Sequence, residues 1–281
     1  MPVPKPVEKA EIAFAAGFCY NENVENFYFR EKTIMIKMII TDLDNTLLRR
    51  DKTISDYTID IFRRVRECGM LIAFATARSM ESSQEYRTLL NPDGDIITGG
   101  CLVFVGRQLL RSCYLPEPRG AALLAELCAY PSVKRVSARS LNASYSNIPT
   151  EGRICVDFNA HLPERLLHCS CRTDDGALMK SIAAQYPDFS FLHISGSDLY
   201  DINPKEATKL NGIKTISEYF NVHLSEVAAF GDDFNDVEML RECGTGIAMS
   251  NAISECKAVA NYVCGDCDED GVAKWLEERV L

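Results

Sequence analysis

Residues 38–46 read Met38-Ile39-Ile40-Thr41 followed directly by Asp42-Leu43-Asp44-Asn45-Thr46. The first part is a short unbroken apolar run, the pattern of a strand buried on both faces in a parallel sheet. Working outward, Ser55 can cap a helix in which Ile59, Phe62 and Val65 recur at helical spacing, and Gly69 closes it. Met70 to Ala75 repeats the buried-strand pattern and ends at Thr76-Ala77-Arg78. Ser79 can cap the next helix, and Asp95 to Thr98 suggests a third strand ending at Gly99-Gly100. Strand and helix alternating at this spacing predict an α/β fold with a parallel sheet.

The same rhythm returns late in the chain. Leu210, Ile213, Ile216 and Phe220 mark a helix, and Val227 to Phe230 a strand running into Gly231-Asp232-Asp233. Asn235 to Glu242 reads as a short helix closed near Gly244, with short strands at Gly246 to Met249 and Tyr262-Val263. The middle is different. Val133 to Val136, Leu141 to Tyr145, Arg153 to Phe158 and Phe189 to Ile194 are strand-like, while Gly120 to Tyr130 and Asp175 to Gln185 are helical. This mixture predicts an α+β domain over 113–198, inserted into a core built from 35–112 and 199–281. Residues 1–34 carry three prolines and no sustained periodicity. They are expected to be an N-terminal extension, and a chain starting at Met35 is expected to fold.

Composition excludes several classes. The 281 residues are 47% hydrophobic, enough for a large core. With 30 basic and 40 acidic residues the net charge is −10, which repels nucleic acid. Arg63, Arg64 and Arg66 lie between Asp60 and Glu67 and read as a solvated helix face. No stretch approaches the roughly 18 apolar residues of a membrane span. The apolar patch Ala13 to Cys19 follows Glu8 and Glu11 rather than a basic cluster, so no secretory signal is read. A cytoplasmic location is therefore expected, with the 12 cysteines as free thiols. Cys264-x2-Cys267 and Cys169-x-Cys171 are each half a zinc site at most, because structural zinc takes four ligands.

Ligands of open α/β sheets bind beyond the carboxyl ends of the strands. Here those ends deliver Asp42 and Asp44, Thr76, and Asp232 with Asp233. Carboxylates converging on one edge repel each other unless a cation sits among them, and an all-oxygen set suits Mg2+.

The order of these residues resembles a known family. Asp42-x-Asp44-x-Thr46, Thr76 after a strand, Lys209 opening a helix, and Gly231-Asp232-x-x-Asn235-Asp236 are together similar to the haloacid dehalogenase (HAD) superfamily. The insertion between the second and third motifs, and Gly271-Val272-Ala273 near the end, resemble its Cof-type subfamily with a type IIB cap. The resemblance covers about 36–281. It implies a Rossmann-like parallel-sheet core with an inserted α+β cap.

It also implies roles. Asp42 is the nucleophile and Asp44 the general acid/base. Thr76, with the backbone of Ala77 and Arg78, holds the phosphoryl oxygens, and Lys209 neutralises their charge, with Lys205 as its rival. The metal ligands are Asp42, Asp232 and the carbonyl of Asp44. Asp236 and Asn235 support them, and Asp233 could stand in for Asp236. Arg78 is either a substrate contact or a structural ion pair. Asn45, Ala77 and Gly99-Gly100-Cys101 depart from the commonest family residues, the last where substrate is often met. His161, His168 and His193 read as structural.

The function implied is a Mg2+-dependent phosphatase acting on small phosphate esters, foremost sugar phosphates, through an aspartyl-phosphate. A phosphomutase of the phosphomannomutase type is the alternative, as is a phosphate-binding regulator without turnover. The expected partner is a small phosphate ester, not nucleic acid or membrane, and the expected state a monomer or weak homodimer.

Overall fold

The structure is a computed structural model that describes residues 36–160, 162, 164–194 and 196–281. The expected N-terminal extension and His161 lie outside the described residues.

The chain opens the larger of two sheets. Its strands are β1 (Met38–Thr41), β2 (Leu71–Ala75), β3 (Gly94–Ile97), β4 (Leu102–Val105) and β5 (Gln108–Ser112). The smaller sheet follows, with β6 (Arg135–Ser140), β7 (Ser144–Ser146), β8 (Ile154–Cys155), β9 (Leu166–Arg172), β10 (Phe189–His193) and β11 (Leu199–Pro204). The chain then returns to the larger sheet through β12 (Val227–Gly231), β13 (Thr245–Ala248) and β14 (Tyr262–Val263). The larger sheet has the order β14-β13-β12-β1-β2-β3-β4-β5, parallel from β14 to β3.

The apolar run at β1 is explained by burial on both faces. Ile39 packs with Ile72, Phe74 and Phe230 beneath the helices Asp56–Glu67 and Gly271–Arg279. Met38 and Ile40 face the other way, against Ile213 and Ile216 of the helix Lys209–Phe220. Sequence-read caps hold: the Ser55 hydroxyl accepts from the Thr58 N–H, and Ser79 with Ser82 forms a capping box.

Four strands lie outside the sequence reading. β4 and β5 form an antiparallel hairpin beyond β3. The half-exposed edge strand β5 carries little apolar pattern. β9 and β11 run through the middle of the smaller sheet, whose order is β10-β11-β9-β6-β7-β8. β11 therefore places residues 199–204 in the smaller sheet, where the sequence reading had the core resume at 199. Of the expected strand Arg153 to Phe158, only Ile154–Cys155 pairs.

The smaller sheet is two-faced. Val136, Ala138, Cys169, Cys171 and Ile202 are buried against Leu123, Leu124, Met179 and Ile182 of the helices Arg119–Ala129 and Gly176–Gln185. The alternating residues of β6 and β9 are polar, and they line cavities shared with the larger sheet. No helix among the described residues is long and apolar enough to cross a membrane.

Candidate active site

The strand order of the larger sheet reverses between β1 and β12, since β2 and β3 lie on one side and β13 and β14 on the other. Asp42 and Asp232 leave those two strands side by side. The Asp42 N–H still donates to the Phe230 carbonyl at 3.0 Å, so the nucleophile candidate starts from a backbone locked in the ladder. Leu43, Leu47 and Leu48 are buried and anchor the loop that follows.

Lys209 is the first residue of its helix, with Thr208 as the N-cap, and its side chain is buried. Its ammonium donates to Asp42 Oδ1 at 2.7 Å and to Asp236 Oδ1 at 2.6 Å. Lys205, the rival, is exposed and pairs with neither carboxylate. The other Asp236 oxygen accepts the N–H groups of Asp232 and Asp233 at 3.0 and 3.1 Å. Asp236 is thus saturated with donors and organises the site. Gly231 is required for this arrangement, because a Cβ there would lie 2.5 Å from the Asp236 Cβ. Asp233 does not take that role: its carboxylate caps the turn by accepting from the Phe234 N–H. Asn235 makes no hydrogen bond to Asp232 and instead lines the adjoining cavity.

Thr46 donates its hydroxyl to Asp232 Oδ1 at 2.8 Å, a support that the sequence reading left unassigned. Carboxylate oxygens of Asp42, Asp232 and Asp236 lie within 4.8 Å of one another. Three carboxylates face one ammonium, and the charge is uncompensated. Burial, then the neighbouring Asp236 and Asp232, push the Asp42 carboxyl well up against the pull of Lys209. Burial and Asp236 push Asp232 up to about 7. Burial works against the Lys209 charge, but Asp236 and Asp42 hold its pKa above the ordinary lysine value. An all-oxygen cluster with excess negative charge fits a hard divalent cation. Asp42 and Asp232 each keep one oxygen outside these hydrogen bonds.

Thr76 is buried at the end of β2, and its hydroxyl accepts from the Arg78 N–H at 3.1 Å, which leaves its proton free to donate. The Asp44 side chain lies apart from the cluster. Arg78 grips it with Nε and Nη2 at 2.7 and 2.8 Å, and the Lys52 ammonium adds a third contact at 2.8 Å. Burial pushes the Asp44 carboxyl up, but these partners outweigh it and leave it at about 2. Arg78 is thus an ion-pair residue, with its guanidinium also over the Tyr86 ring.

Thr98, just past β3, was missed by sequence. It has φ 51°, a left-handed conformation that a β-branched residue rarely adopts. Nothing in local sequence signals it except the Gly99-Gly100 pair that follows. Thr98 lines a cavity of about 190 Å³ with Ala77, Gly99, Lys209 and Asn235. Elsewhere, the cysteines among the described residues are all free thiols. Cys169 and Cys171 lie in the core of the smaller sheet, and Cys264 and Cys267 do not gather a four-ligand set.

Comparison with known proteins gives the family and the fold. A sequence model of haloacid dehalogenase-like hydrolases matches residues 39–276. The chain is 28% identical over 263 residues to a 5-amino-6-(5-phospho-D-ribitylamino)uracil phosphatase of Bacillus subtilis, covering 86% of this chain and 96% of that one. It is 26% identical over 262 residues to an HMP-PP phosphatase of Klebsiella pneumoniae, covering 86% and 95%. Among solved structures, a HAD subclass IIB sugar phosphatase superposes with TM-score 0.76 at 25% identity, over 86% of this chain and 98% of that chain. A phosphatase of Bacteroides thetaiotaomicron, 23% identical, shares the fold with TM-score 0.80 over 89% and 97%. The fold is thus the HAD fold, a Rossmann-like parallel sheet carrying an inserted α+β unit. With nearly the whole described chain inside one family match, and the motif residues gathered at one sheet edge, this chain belongs to the haloacid dehalogenase-like hydrolases.

Proposed function

We propose that the chain is a phosphoric monoester hydrolase, a Mg2+-dependent phosphatase of small phosphate esters with sugar phosphates foremost. The observation that carries this is the buried Lys209 ammonium bridging Asp42 and Asp236 at the strand-order reversal. The names of its relatives, phosphatases of small molecules, agree with it.

In this reading the free oxygen of Asp42 attacks phosphorus, and the bond to the leaving alcohol breaks as the aspartyl-phosphate forms. Lys209 holds the other Asp42 oxygen, which fixes the direction of attack and balances charge on the phosphoryl group. The Thr76 hydroxyl donates to a phosphoryl oxygen. Asp44 protonates the leaving alkoxide, then takes a proton from the water that releases phosphate. To reach the leaving group Asp44 must exchange its contacts with Arg78. Mg2+, held by Asp42, Asp232 and the Asp44 carbonyl, would supply positive charge where phosphoryl charge gathers.

A phosphate-release screen over metabolite monophosphates with Mg2+ tests the reading. Turnover of several esters by the parent, with Asp42→Asn folded and inactive, is the expected result. Residual activity of Asp42→Asn within about tenfold of the parent would exclude a covalent role for Asp42.

A further inference from the structure

Beside the phosphoryl site lies a second cavity, of about 340 Å³, between the polar face of the smaller sheet and the strand ends of the larger one. It shares Ala77 and Thr98 with the cavity at Lys209, so the two are neighbours along one wall. Arg78 lines it from the larger sheet, and Arg135, Arg139, Arg153 and Arg172 from the smaller. This concentration of positive charge stands against a chain net charge of −10.

Strand register produces the cluster. Arg135 on β6 pairs with Arg172 on β9, and Arg139 pairs with His168, so alternate residues bring these side chains to one face. Like charges directly opposite on neighbouring strands destabilise a sheet. Some of the charge is met locally: Arg172 by Asp198, Arg139 by the exposed Glu81 at 3.1 Å, and Arg78 by Asp44. Among the described residues, Arg135 and Arg153 have no carboxylate within 4.0 Å. Asp201 is the one carboxylate in the cavity wall. Burial, then Arg135, Arg139 and Arg172, disfavour the Arg153 charge, and burial with Arg139 leaves His168 neutral, at about 4. A separate observation points the same way. Ser137, between Arg135 and Arg139 on β6, belongs to the cavity wall and is 3% exposed, and its hydroxyl has no hydrogen-bond partner. An unpartnered buried hydroxyl beside unpaired guanidinium groups is the wall of an anion site.

We infer that this cavity is a second anion site, and that the substrate is a small molecule bearing two phosphate groups. One phosphate meets Asp42 and Lys209, and the other sits among Arg135, Arg153 and Ser137. Guanidinium forks match phosphate oxygens in pairs and with opposite charge, which a neutral sugar hydroxyl does not offer. The inference rests on the phosphatase reading of the adjoining site.

The test compares a hexose 1,6-bisphosphate with the matching hexose 6-phosphate, with p-nitrophenyl phosphate as the control for turnover. The bisphosphate is expected to have kcat/KM about tenfold or more higher. Arg135→Gln and Arg153→Gln should each shrink that ratio, chiefly through KM, and added salt should shrink it in the parent. Calorimetric titration of both hexose phosphates into Asp42→Asn reads affinity without turnover. There the bisphosphate should bind about tenfold or more tighter, and Arg135→Gln with Arg153→Gln in the same protein should remove the difference. Turnover of p-nitrophenyl phosphate with equal kcat/KM for the two hexose phosphates overturns the second site alone. Absence of turnover on every ester overturns the phosphatase reading, and the titration then still decides the second site: equal affinities sink it.

Discussion

Arg78 and Asp44 are joined by two parallel hydrogen bonds, from Nε and Nη2 to separate carboxylate oxygens. The residue proposed to donate a proton is therefore held as an anion. A carboxyl at about 2 is ionised at neutral pH and can accept a proton but not give one. For Asp44 to serve as the proposed acid, this pair must open.

The consequence is measurable in single-turnover phosphorylation. Asp44→Asn should lose far more rate on sugar phosphates, whose alkoxides need a proton, than on p-nitrophenyl phosphate, whose phenolate does not. A gap of about 10²-fold between the two losses is expected. Equal losses would make Asp44 a positioning carboxylate instead.

Arg78→Ala gives the pH counterpart. Removing the guanidinium lets burial raise the Asp44 pKa. An acid catalyst works below its pKa and fails above it, so the alkaline limb of the first step should move to higher pH. Rapid-quench profiles of parent and variant check this, and an unmoved limb would show that another group sets it.

The carboxylate cluster predicts a pH-dependent effect of Mg2+ on stability. Asp232 sits at about 7 in the fold and near 3.9 in the unfolded chain. Its ionisation therefore costs stability, absent below pH ~4, growing up to pH ~7 and complete above it. A cation relieves that cost. Mg2+ at about 100 times its Kd adds about 2.7 kcal/mol, several degrees of Tm at this length. The gain should be larger at pH 8 than at pH 6. In chelator Asp232→Asn should melt above the parent, and Mg2+ should then add little. Equal gains at both pH values would contradict this account.

Gly231→Ala should damage the site without touching a charged group. The new methyl meets Asp236 at 2.5 Å, and moving Asp236 loosens Lys209 and two amide donors. A stability loss of about 1–3 kcal/mol is expected, together with a fall in kcat. Chemical denaturation and steady-state assays check both, and a parent-like variant would show that Asp236 has room to yield.

The parallel part of the larger sheet was legible because a strand buried on both faces leaves an unbroken apolar run, and its chemistry follows at the very next residue, as with Asp42, Thr76 and Asp232. The partners of those groups were less legible. Sequence already favoured Lys209 over Lys205 and Asp236 over Asp233, but the contacts each makes came only from geometry. β9, read as Leu-Leu-His-Cys-Ser-Cys-Arg, escaped notice because cysteines alternate there with polar residues and its partners lie far away in sequence. The arginine wall was invisible for the same reason, since its members come from 78 to 172 and meet only through strand register.

Among the described residues, the chain crosses between the two sheets only where β5 leaves for β6 and where β11 returns to the helix at Lys209. The groups proposed for chemistry lie outside this excursion. For protein engineering the smaller sheet is accordingly a cassette, exchangeable in principle with its arginines while the phosphoryl machinery stays in place. The return joint is the part that must be transplanted faithfully. Thr208 rests so closely on Gly100 that any side chain at 100 would meet its carbonyl oxygen at 2.4 Å. The residue after Thr208 is Lys209, so a graft that shifts this joint shifts the ammonium on which Asp42 depends.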